Sequence, residues 1–340
     1  MRPLLVLTAL CSALCLGCRA ERELVYVSAE QGEQLVVIDP LAASVVERIA
    51  VGKRPRGLQL SKNGDLLYVA QSGSPRAGPN IDAAQLPAAD RSADGIGVIE
   101  LKTRKRLSSL PGGQDPESFA VSHNGELLYV ANEETAELSV VDIHAARVVK
   151  RVPVGREPEG VTLHPAGQKI YVTSEADGVV VVIDAVRFSE ITRIPTGQRP
   201  RTITFAADGK IAFVTNELSA NVTVVDAEHD RVIKNIAISA AGAPEQRPMG
   251  AVLAPDGKRL FVSTGRGGSV AIIDVAKREL VQLIRDVGAR PWGIAISPDG
   301  KRLYTANGPS DDVSIIDVAS ATLSTRLKVG GLPWGLIVAH

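Results

Sequence analysis

The chain has 340 residues, of which 45% are hydrophobic and only 4% aromatic, and its 38 basic residues balance its 38 acidic residues. A formal net charge of zero argues against a general binder of nucleic acid or of anionic membrane surfaces. The length alone would suggest two domains, but an internal repeat overrides that expectation.

Residues 1–20 are predicted to be a secretory signal peptide, because Arg2 precedes an apolar run from Leu4 to Leu16 that small residues follow. Such a run is too short for a permanent membrane span. All three cysteines lie in this segment, so the exported domain is expected to fold without disulfides. The sequence therefore predicts a periplasmic protein.

Cys18 is a candidate lipidation site. The run LCLGC that ends at Cys18 resembles a bacterial lipobox, although Cys15 stands where such motifs usually carry leucine. Cleavage before Cys18 would leave a lipid-modified N-terminus, and this lipid is the only membrane contact that we expect. The alternative is ordinary cleavage after Ala20.

From Leu24 onward the chain repeats a cassette of short strands and tight turns, and residues 290–317, RPWGIAISPDGKRLYTANGPSDDVSIID, are its cleanest copy. The cassette has a V-G-x-x-P-x-G turn, an apolar strand, a P-D-G-K type turn, an L-Y-V-A type strand and a V-x-V-I-D type strand. Its closing acidic residue recurs at intervals of 61, 42, 42, 42, 48 and 43 residues, at Asp39, Glu100, Asp142, Asp184, Asp226, Asp274 and Asp317. We expect these acids to cap turns.

A period near 42 residues with four strands per unit is typical of a β-propeller blade. The sequence thus predicts an all-β, seven-bladed propeller with four-stranded blades in a single domain, residues 24–340. The first three strands, at 24–28, 34–39 and 44–51, lack an inner partner, and the chain ends with a lone strand at 334–339. We expect this last strand to complete the first blade, since that closure satisfies both open sheet edges.

Two insertions interrupt the period, a long one at residues 72–94 and a short one at residues 239–250. Loops of such length are usually functional or disordered. Because strands alternate in direction, the loops between second and third strands share one face with the connections between blades. We call this the upper face, and both insertions are predicted to lie on it as lids.

The residues beside each V-G-x-x-P-x-G proline, with a few from the ends of the second strands, are predicted to surround the upper mouth of the channel. The candidate ligand-binding residues are Arg54, Arg56, Glu117, Glu159, Arg199, Arg201, Glu217, Arg247, Arg290, Trp292, Asn307 and Trp334. They predict a mouth that is acidic at the third and fourth blades and basic elsewhere. In a structural interpretation the charges are solvated or pair between blades. In a functional one the arginines bind a carboxylate-bearing ligand, with the tryptophans as flat platforms.

No cofactor or metal site is predicted. The five histidines, His123, His144, His164, His229 and His340, fall in different blades on the opposite, lower face, and ligands that do not converge cannot hold a metal. The chain also lacks the sequence motifs of zinc proteases, serine hydrolases and phosphate-binding loops.

The strands LYVAN, IYVTS and AFVTN, with their VVD or IID partners, resemble the YVTN family of bacterial β-propeller repeat proteins over residues 24–340. The exported seven-bladed arrangement with a long insertion in the second blade is similar to the propeller proteins associated with PQQ-dependent alcohol oxidation. This resemblance implies a periplasmic accessory or binding role. With the charged mouth, we expect a non-enzymatic, monomeric binding or scaffold protein that holds an anionic small molecule or a periplasmic partner protein there.

Two alternatives stay open. Propeller lactonases share the family and bind sugar lactones at the channel mouth, where an arginine with a glutamate or histidine would polarise the carbonyl and activate water. Arg199 and Arg201, with Glu157, Glu159 or Glu217, could supply these groups, but no histidine is expected there. The second alternative is a structural or adhesive cell-surface propeller.

Overall fold

The structure is a computed structural model that describes residues 23–76 and 86–339. The predicted signal peptide, Cys18 and His340 lie outside the described residues. Within them, seven four-stranded antiparallel sheets form a seven-bladed β-propeller. The inner strands of successive blades contact one another all the way round the ring. The predicted fold class is confirmed.

The chain runs from the inner to the outer strand of each blade. Blade 1 contains β1 (Leu24–Ala29), β2 (Gln34–Asp39) and β3 (Ser44–Ala50). Blade 2 contains β4 (Leu58–Leu60), β5 (Leu66–Gln71), β6 (Gly95–Glu100) and β7 (Lys105–Leu110). Blade 3 contains β8 (Pro116–Val121), β9 (Leu127–Asn132), β10 (Glu137–Asp142) and β11 (Arg147–Pro153). Blade 4 contains β12 (Pro158–Leu163), β13 (Lys169–Ser174), β14 (Val179–Asp184) and β15 (Glu190–Pro195), and blade 5 contains β16 (Pro200–Phe205), β17 (Ile211–Asn216), β18 (Asn221–Asp226) and β19 (Arg231–Ala237). Blade 6 contains β20 (Ala251–Leu253), β21 (Arg259–Ser263), β22 (Val270–Asp274) and β23 (Glu279–Ile284). Blade 7 contains β24 (Pro291–Ile296), β25 (Arg302–Asn307), β26 (Asp312–Asp317) and β27 (Thr322–Lys328).

The ring closes through the last strand, as predicted. Strand β28 (Pro333–Ala339) is the inner strand of blade 1 and pairs antiparallel with β1, with Val25 opposite Val338 and Tyr26 opposite Ile337. In the sheet order β28-β1-β2-β3, the last strand of the chain pairs with the edge of β1 that would otherwise be open, and β28 itself gains a partner.

The hydrophobic core lies between blades. Blade 3 contributes Tyr129 and Val140 to one cluster, and blade 4 contributes Ile170 and Val172 to the same cluster. The middle strands are therefore apolar on both faces, whereas outer strands such as β7 are exposed along most of their length. Each blade is stabilised mainly by its neighbours, as in other repeat proteins.

Two glycines explain the V-G-x-x-P-x-G turn. Gly113 has φ 98°, and a Cβ atom there would lie 2.1 Å from Oδ1 of Asn132. A Cβ atom on Gly160 would lie 2.2 Å from the carbonyl oxygen of Arg201 in the next blade. The first glycine thus permits the backbone turn, and the second permits the close approach of neighbouring inner strands.

The acidic residues that close the cassettes cap turns, as predicted. Oδ1 of Asp142 accepts a hydrogen bond from the backbone N–H of Ala145 at 2.8 Å, and Oδ1 of Asp317 accepts one from Ser320 at 2.7 Å. Such side-chain caps satisfy backbone donors at a sharp turn. The described residues contain no helix that is long and apolar enough to cross a membrane.

Both insertions lie on the upper face. The described second half of the long insertion contains a short 3-10 turn at Arg91–Ala93. Arg91 pairs with Glu134 of blade 3, and Asp90 pairs with Lys53 at 2.8 Å. This half of the loop is therefore fastened to the rim by ion pairs at two points.

Candidate functional site

The mouth of the channel is built from equivalent positions in all seven blades. We call the residue after each turn proline the mouth ring, which from blade 1 to blade 7 is Trp334, Arg56, Glu117, Glu159, Arg201, Met249 and Trp292. In several blades a hydroxyl group donates a hydrogen bond to the main-chain carbonyl of the ring residue in the next blade. These pairs are Ser28 with Arg56 at 2.8 Å, Ser118 with Glu159 at 2.6 Å and Thr215 with Met249 at 2.6 Å. The ring is thus ionisable in blades 2 to 5 and apolar in blades 6, 7 and 1.

A cavity of about 310 Å³ opens at this ring. It is lined by Glu30, Arg54, Arg56, Pro75, Arg76, Asp115, Glu117, Glu133, Glu159, Arg199, Arg201, Arg290, Trp292 and Trp334. Nine of the twelve residues predicted to bind a ligand are in this set. A volume of this size suits a small molecule.

Arg56 is the centre of the ionic network on the blade 2 side. Its side chain is 3% exposed, and its guanidinium donates hydrogen bonds to the carboxylates of Asp115 and Glu117. Burial lowers the pKa of Arg56, but Glu117 and Asp115 outweigh that effect and raise it. Burial likewise opposes the ionised form of Asp115, yet Arg56 and Ser72 hold the pKa of Asp115 below its ordinary value.

Arg201 forms the corresponding centre on the blade 5 side. It donates a hydrogen bond to Glu175 and lies 3.4 Å from carboxylate oxygens of both Glu159 and Glu217. Arg199 also binds Glu175, at 2.7 Å. The prediction of a basic mouth outside blades 3 and 4 is therefore wrong for this side, because carboxylates of blades 4 and 5 neutralise the arginines of blade 5.

Three glutamates of blades 3 and 4 face the cavity together. Burial raises the pKa of Glu117 well above its ordinary value; Arg56 opposes the rise, and Glu159 and Glu133 add to it. Glu117 also hydrogen-bonds Glu133, which requires a shared proton. Burial and Glu133 raise the pKa of Glu159, against the effect of Arg201. Carboxyl groups with raised pKa values are suited to acid–base chemistry.

The same region has the spacing of a metal site, since oxygens of Asp115, Glu117 and Glu133 lie within 4.8 Å of one another. Arg56, however, already donates to Asp115 and Glu117. Its guanidinium supplies the positive charge that a metal ion would bring, so these residues do not fit a bound cation.

The apolar side of the mouth contains both tryptophans. The rings of Trp292 and Trp334 have centroids 6.2 Å apart and meet edge to face. The guanidinium of Arg290 lies over the Trp292 ring, 4.8 Å from its centroid. This arrangement offers flat apolar surface beside a positive charge.

Three predicted residues do not line the cavity. Glu217 lies behind it as an ion-pair partner of Arg199 and Arg201. Arg247 pairs with Glu245 at 2.9 Å. Asn307 is fully buried and donates a hydrogen bond to the carbonyl of Val287 at 3.1 Å, a structural role.

Sequence reasoning missed several lining residues. Glu30 directly follows a second strand, the cassette position that placed Glu217 among the candidates, and this shared position was the available signal. Arg76 lies in the long insertion, whose path no repeat could predict. The four described histidines, His123, His144, His164 and His229, do not line the cavity. His123 and His144 belong to the same blade, so the expectation that every histidine falls in a different blade is wrong.

Two protein-family models match parts of the chain. The model described as a seven-bladed β-propeller lactonase matches residues 186–330, and a YNCE-like β-propeller model matches residues 78–168. Each covers less than half of the chain, and both support the propeller. A search of curated proteins found no match.

Several solved structures are similar. The periplasmic gluconolactonase of Pseudomonas aeruginosa has a TM-score of 0.76 at 22% identity, covering 94% of this chain and 99% of that one. A putative 6-phosphogluconolactonase of Bacteroides fragilis has a TM-score of 0.75 at 19% identity, covering 95% and 99%. Hydrazine synthase of Kuenenia stuttgartiensis has a TM-score of 0.67 at 23% identity, covering 83% and 88%. At such identities the likeness shows the fold alone.

The prediction of a non-enzymatic scaffold that assists PQQ-dependent alcohol oxidation is contradicted. The lactonase family model, which matches residues 186–330, favours the lactonase-like alternative. The physical reason for the error lies in the glutamates. The sequence offers no histidine at the mouth, and the repeat does not reveal that burial raises the pKa values of Glu117 and Glu159.

Proposed function

We propose that the protein is a lactonase-like hydrolase that opens a lactone ring in the cavity at the mouth ring. The observation that carries this proposal is the pair Glu117 and Glu159, two neighbouring ring residues whose pKa values are raised and which face one cavity with Arg56 and Arg201 on either side. The match of residues 186–330 to a lactonase family model supports it.

Glu159 is the proposed general base. Its side chain is 14% exposed and lies 3.4 Å from Arg201, so its carboxylate can be both ionised and accessible to a water molecule. Glu159 takes a proton from water while the water oxygen attacks the lactone carbonyl carbon. The positive charge of Arg201 stabilises the negative charge that develops on the carbonyl oxygen.

Glu117 is the proposed general acid. Its pKa is the more strongly raised, and its hydrogen bond with Glu133 keeps the carboxyl proton in place. When the tetrahedral intermediate collapses, the ring C–O bond breaks and Glu117 donates its proton to the leaving oxygen. The product is a hydroxy acid. A proton then passes from Glu159 to Glu117 by way of Glu133, which returns both carboxyl groups to their starting protonation states. Each turnover therefore consumes one water molecule and one lactone.

The experiment measures acid release from gluconolactone and related lactones in a pH-stat, corrected for spontaneous hydrolysis. We expect Glu159→Gln and Glu117→Gln each to lower kcat by about 100- to 10,000-fold. Glu137→Gln is the matched control, because Glu137 belongs to the same blade as Glu117 and lies outside the cavity lining. Catalysis no faster than the spontaneous reaction for every lactone tested would overturn the proposal.

We also propose that the protein is a YVTN-type repeat protein exported to the periplasm with a lipid on Cys18. The repeated strands, the apolar run after Arg2 and the LCLGC motif support this. Cell fractionation tests it. The natural protein should sediment with membranes and Cys18→Ala should not, whereas an identical distribution of both would argue against the lipid.

A further inference from the structure

Six arginines line the mouth cavity, and five of them are neutralised. Arg54 and Arg76 pair with Glu30, Arg56 with Asp115 and Glu117, and Arg199 and Arg201 with Glu175. Arg290 differs. Among the described residues it has no carboxylate within 4.0 Å and no hydrogen-bond partner. Since half-buried charges are normally paired, this exception indicates a site for an external anion.

Arg290 is nevertheless held in a fixed place. Its guanidinium stacks 4.8 Å from the centroid of the Trp292 ring, and Trp292 packs edge to face on Trp334. The backbone of Arg290 has φ 54°, an uncommon left-handed conformation, directly before Pro291. Stacking and backbone together direct the side chain to the mouth, which reduces the entropy lost when a ligand binds.

The surrounding charge favours an anion. Burial lowers the pKa of Arg290; Glu217 opposes this effect, and the guanidinium groups of Arg266, Arg201 and Arg199 lower the pKa further. The pKa of an arginine stays far above neutrality even so, and Arg290 keeps its charge. The unpaired positive charge of Arg290 therefore remains on the apolar side of the mouth, beside Trp292.

The position of Arg290 relative to the glutamates decides which part of a substrate it would contact. Arg290 and Trp292 belong to blade 7, whereas Glu117 and Glu159 belong to blades 3 and 4, on the other side of the seven-membered ring. A lactone whose carbonyl lies at Glu159 would extend its far end towards Arg290.

We propose that Arg290, stacked on Trp292, binds a carboxylate at the end of the substrate remote from the lactone carbonyl, so that the substrate is a lactone bearing a single negative charge. This inference rests on the proposed hydrolase function and names its substrate class. A planar guanidinium suits the two oxygens of a carboxylate. One unpaired arginine matches one charge, whereas a phosphate group carries nearly two charges near neutral pH. The flat tryptophan faces suit an apolar ring edge next to the carboxylate.

The test uses three lactones that differ only in the substituent farthest from the carbonyl. Gluconolactone carries a hydroxymethyl group there, its oxidised counterpart carries a carboxylate, and the third carries a phosphorylated hydroxymethyl group. We expect kcat/KM for the carboxylate lactone to exceed that for each of the others by about 10- to 100-fold. Arg290→Gln should abolish this preference, chiefly by raising KM. Arg290→Lys should restore part of it, because it keeps the charge and loses the planar fork. Arg278→Gln, which removes a partly buried arginine of a blade 6 turn outside the cavity lining, is the control.

Three outcomes separate this inference from the function on which it rests. Equal use of neutral and carboxylate lactones, or a preference for the phosphorylated one, overturns the inference and leaves the hydrolase standing. If no lactone is hydrolysed, the proposed function fails. Calorimetric titration with the ring-opened dicarboxylate then still tests Arg290, because binding that Arg290→Gln does not weaken overturns the inference without reference to turnover.

Discussion

Replacing Arg56 with methionine should destabilise the propeller by about 3–5 kcal/mol at neutral pH. Arg56 is 2% exposed and compensates the buried carboxylate of Asp115, which is 6% exposed, and it also donates a hydrogen bond to the carboxyl group of Glu117. Removing one partner of a buried ionic network leaves uncompensated charge in a poorly solvated place, and that situation typically costs about this much. Unfolding entropy near 2.1 cal/mol/K per residue converts 4 kcal/mol into a fall in Tm of about 6 °C for a chain of this length.

The loss of unfolding free energy caused by Arg56→Met should be larger at neutral pH than at acidic pH. In the natural protein the pKa of Asp115 is lowered, so Asp115 contributes stability above its unfolded pKa and loses it as the pH falls. Without Arg56, burial raises the folded pKa of Asp115 above the unfolded value, because the charged form is no longer compensated. The difference between variant and natural protein should therefore be largest at neutral pH and should shrink as the pH falls towards about 4.

Thermal and urea unfolding at several pH values would measure this effect. Arg56→Met combined with Asp115→Asn should recover much of the loss, since the stranded charge is then gone. Arg104→Met is the control, because Arg104 pairs with Glu47 at the surface and should cost less than about 1 kcal/mol. A cost for Arg56→Met below 1 kcal/mol, or one that is independent of pH, would refute the account of the network.

Four further predictions follow from the fold and the site. Deleting residues 334–340 should prevent stable folding, because β28 completes blade 1; unchanged thermal unfolding of the truncated protein would contradict the closure. Ala146→Gly should raise the free energy of unfolding in urea by roughly 0.5–1 kcal/mol, since this exposed turn residue has φ 48° and glycine adopts it without strain. Gly113→Ala should lower it by roughly 1–3 kcal/mol, because of φ 98° and the contact with Asn132; no loss of stability would show that the turn relaxes easily. Lactone hydrolysis should decline as the pH rises through the raised pKa of Glu117, which must stay protonated as the acid, and a pH profile of kcat that is unchanged in Glu117→Gln would exclude this role.

The fold could be predicted from the sequence because its signals are local. Asp142 and its equivalents recur with a basal interval of 42 residues, and each of them caps a turn formed by its own neighbours in the chain. The closure by β28 was predictable for a related reason, because an unmatched strand at one end of the chain complements an unmatched edge at the other. Both signals arise from backbone hydrogen bonds, whose pattern is the same in every copy of the cassette.

The chemistry of the mouth was only partly predictable because it arises between blades. The sequence placed Arg201 at the mouth, but its pairing with Glu175 and Glu159 depends on how neighbouring blades meet. The raised pKa of Glu117 depends on burial and on Glu133, neither of which the spacing of the repeat reveals. Arg290 looked equivalent to the other arginines in the sequence, and only the ion-pair geometry distinguishes it.

The mouth ring also bears on how such proteins diversify. Its scaffold contacts run largely through the main chain, from hydroxyls such as Ser28 and Ser118 to ring carbonyls and from ring carbonyls to the glycines of adjacent blades. A mutation that changes a ring side chain therefore leaves the architecture of the inner strands in place, and seven positions can be rewritten during evolution while the propeller persists. Buried charges set a constraint, because replacing Arg56 without its ionised partner Asp115 would cost stability. New specificities in this scaffold should accordingly arise first at the apolar positions, where single substitutions are tolerated, and at the ionic ones only as paired replacements.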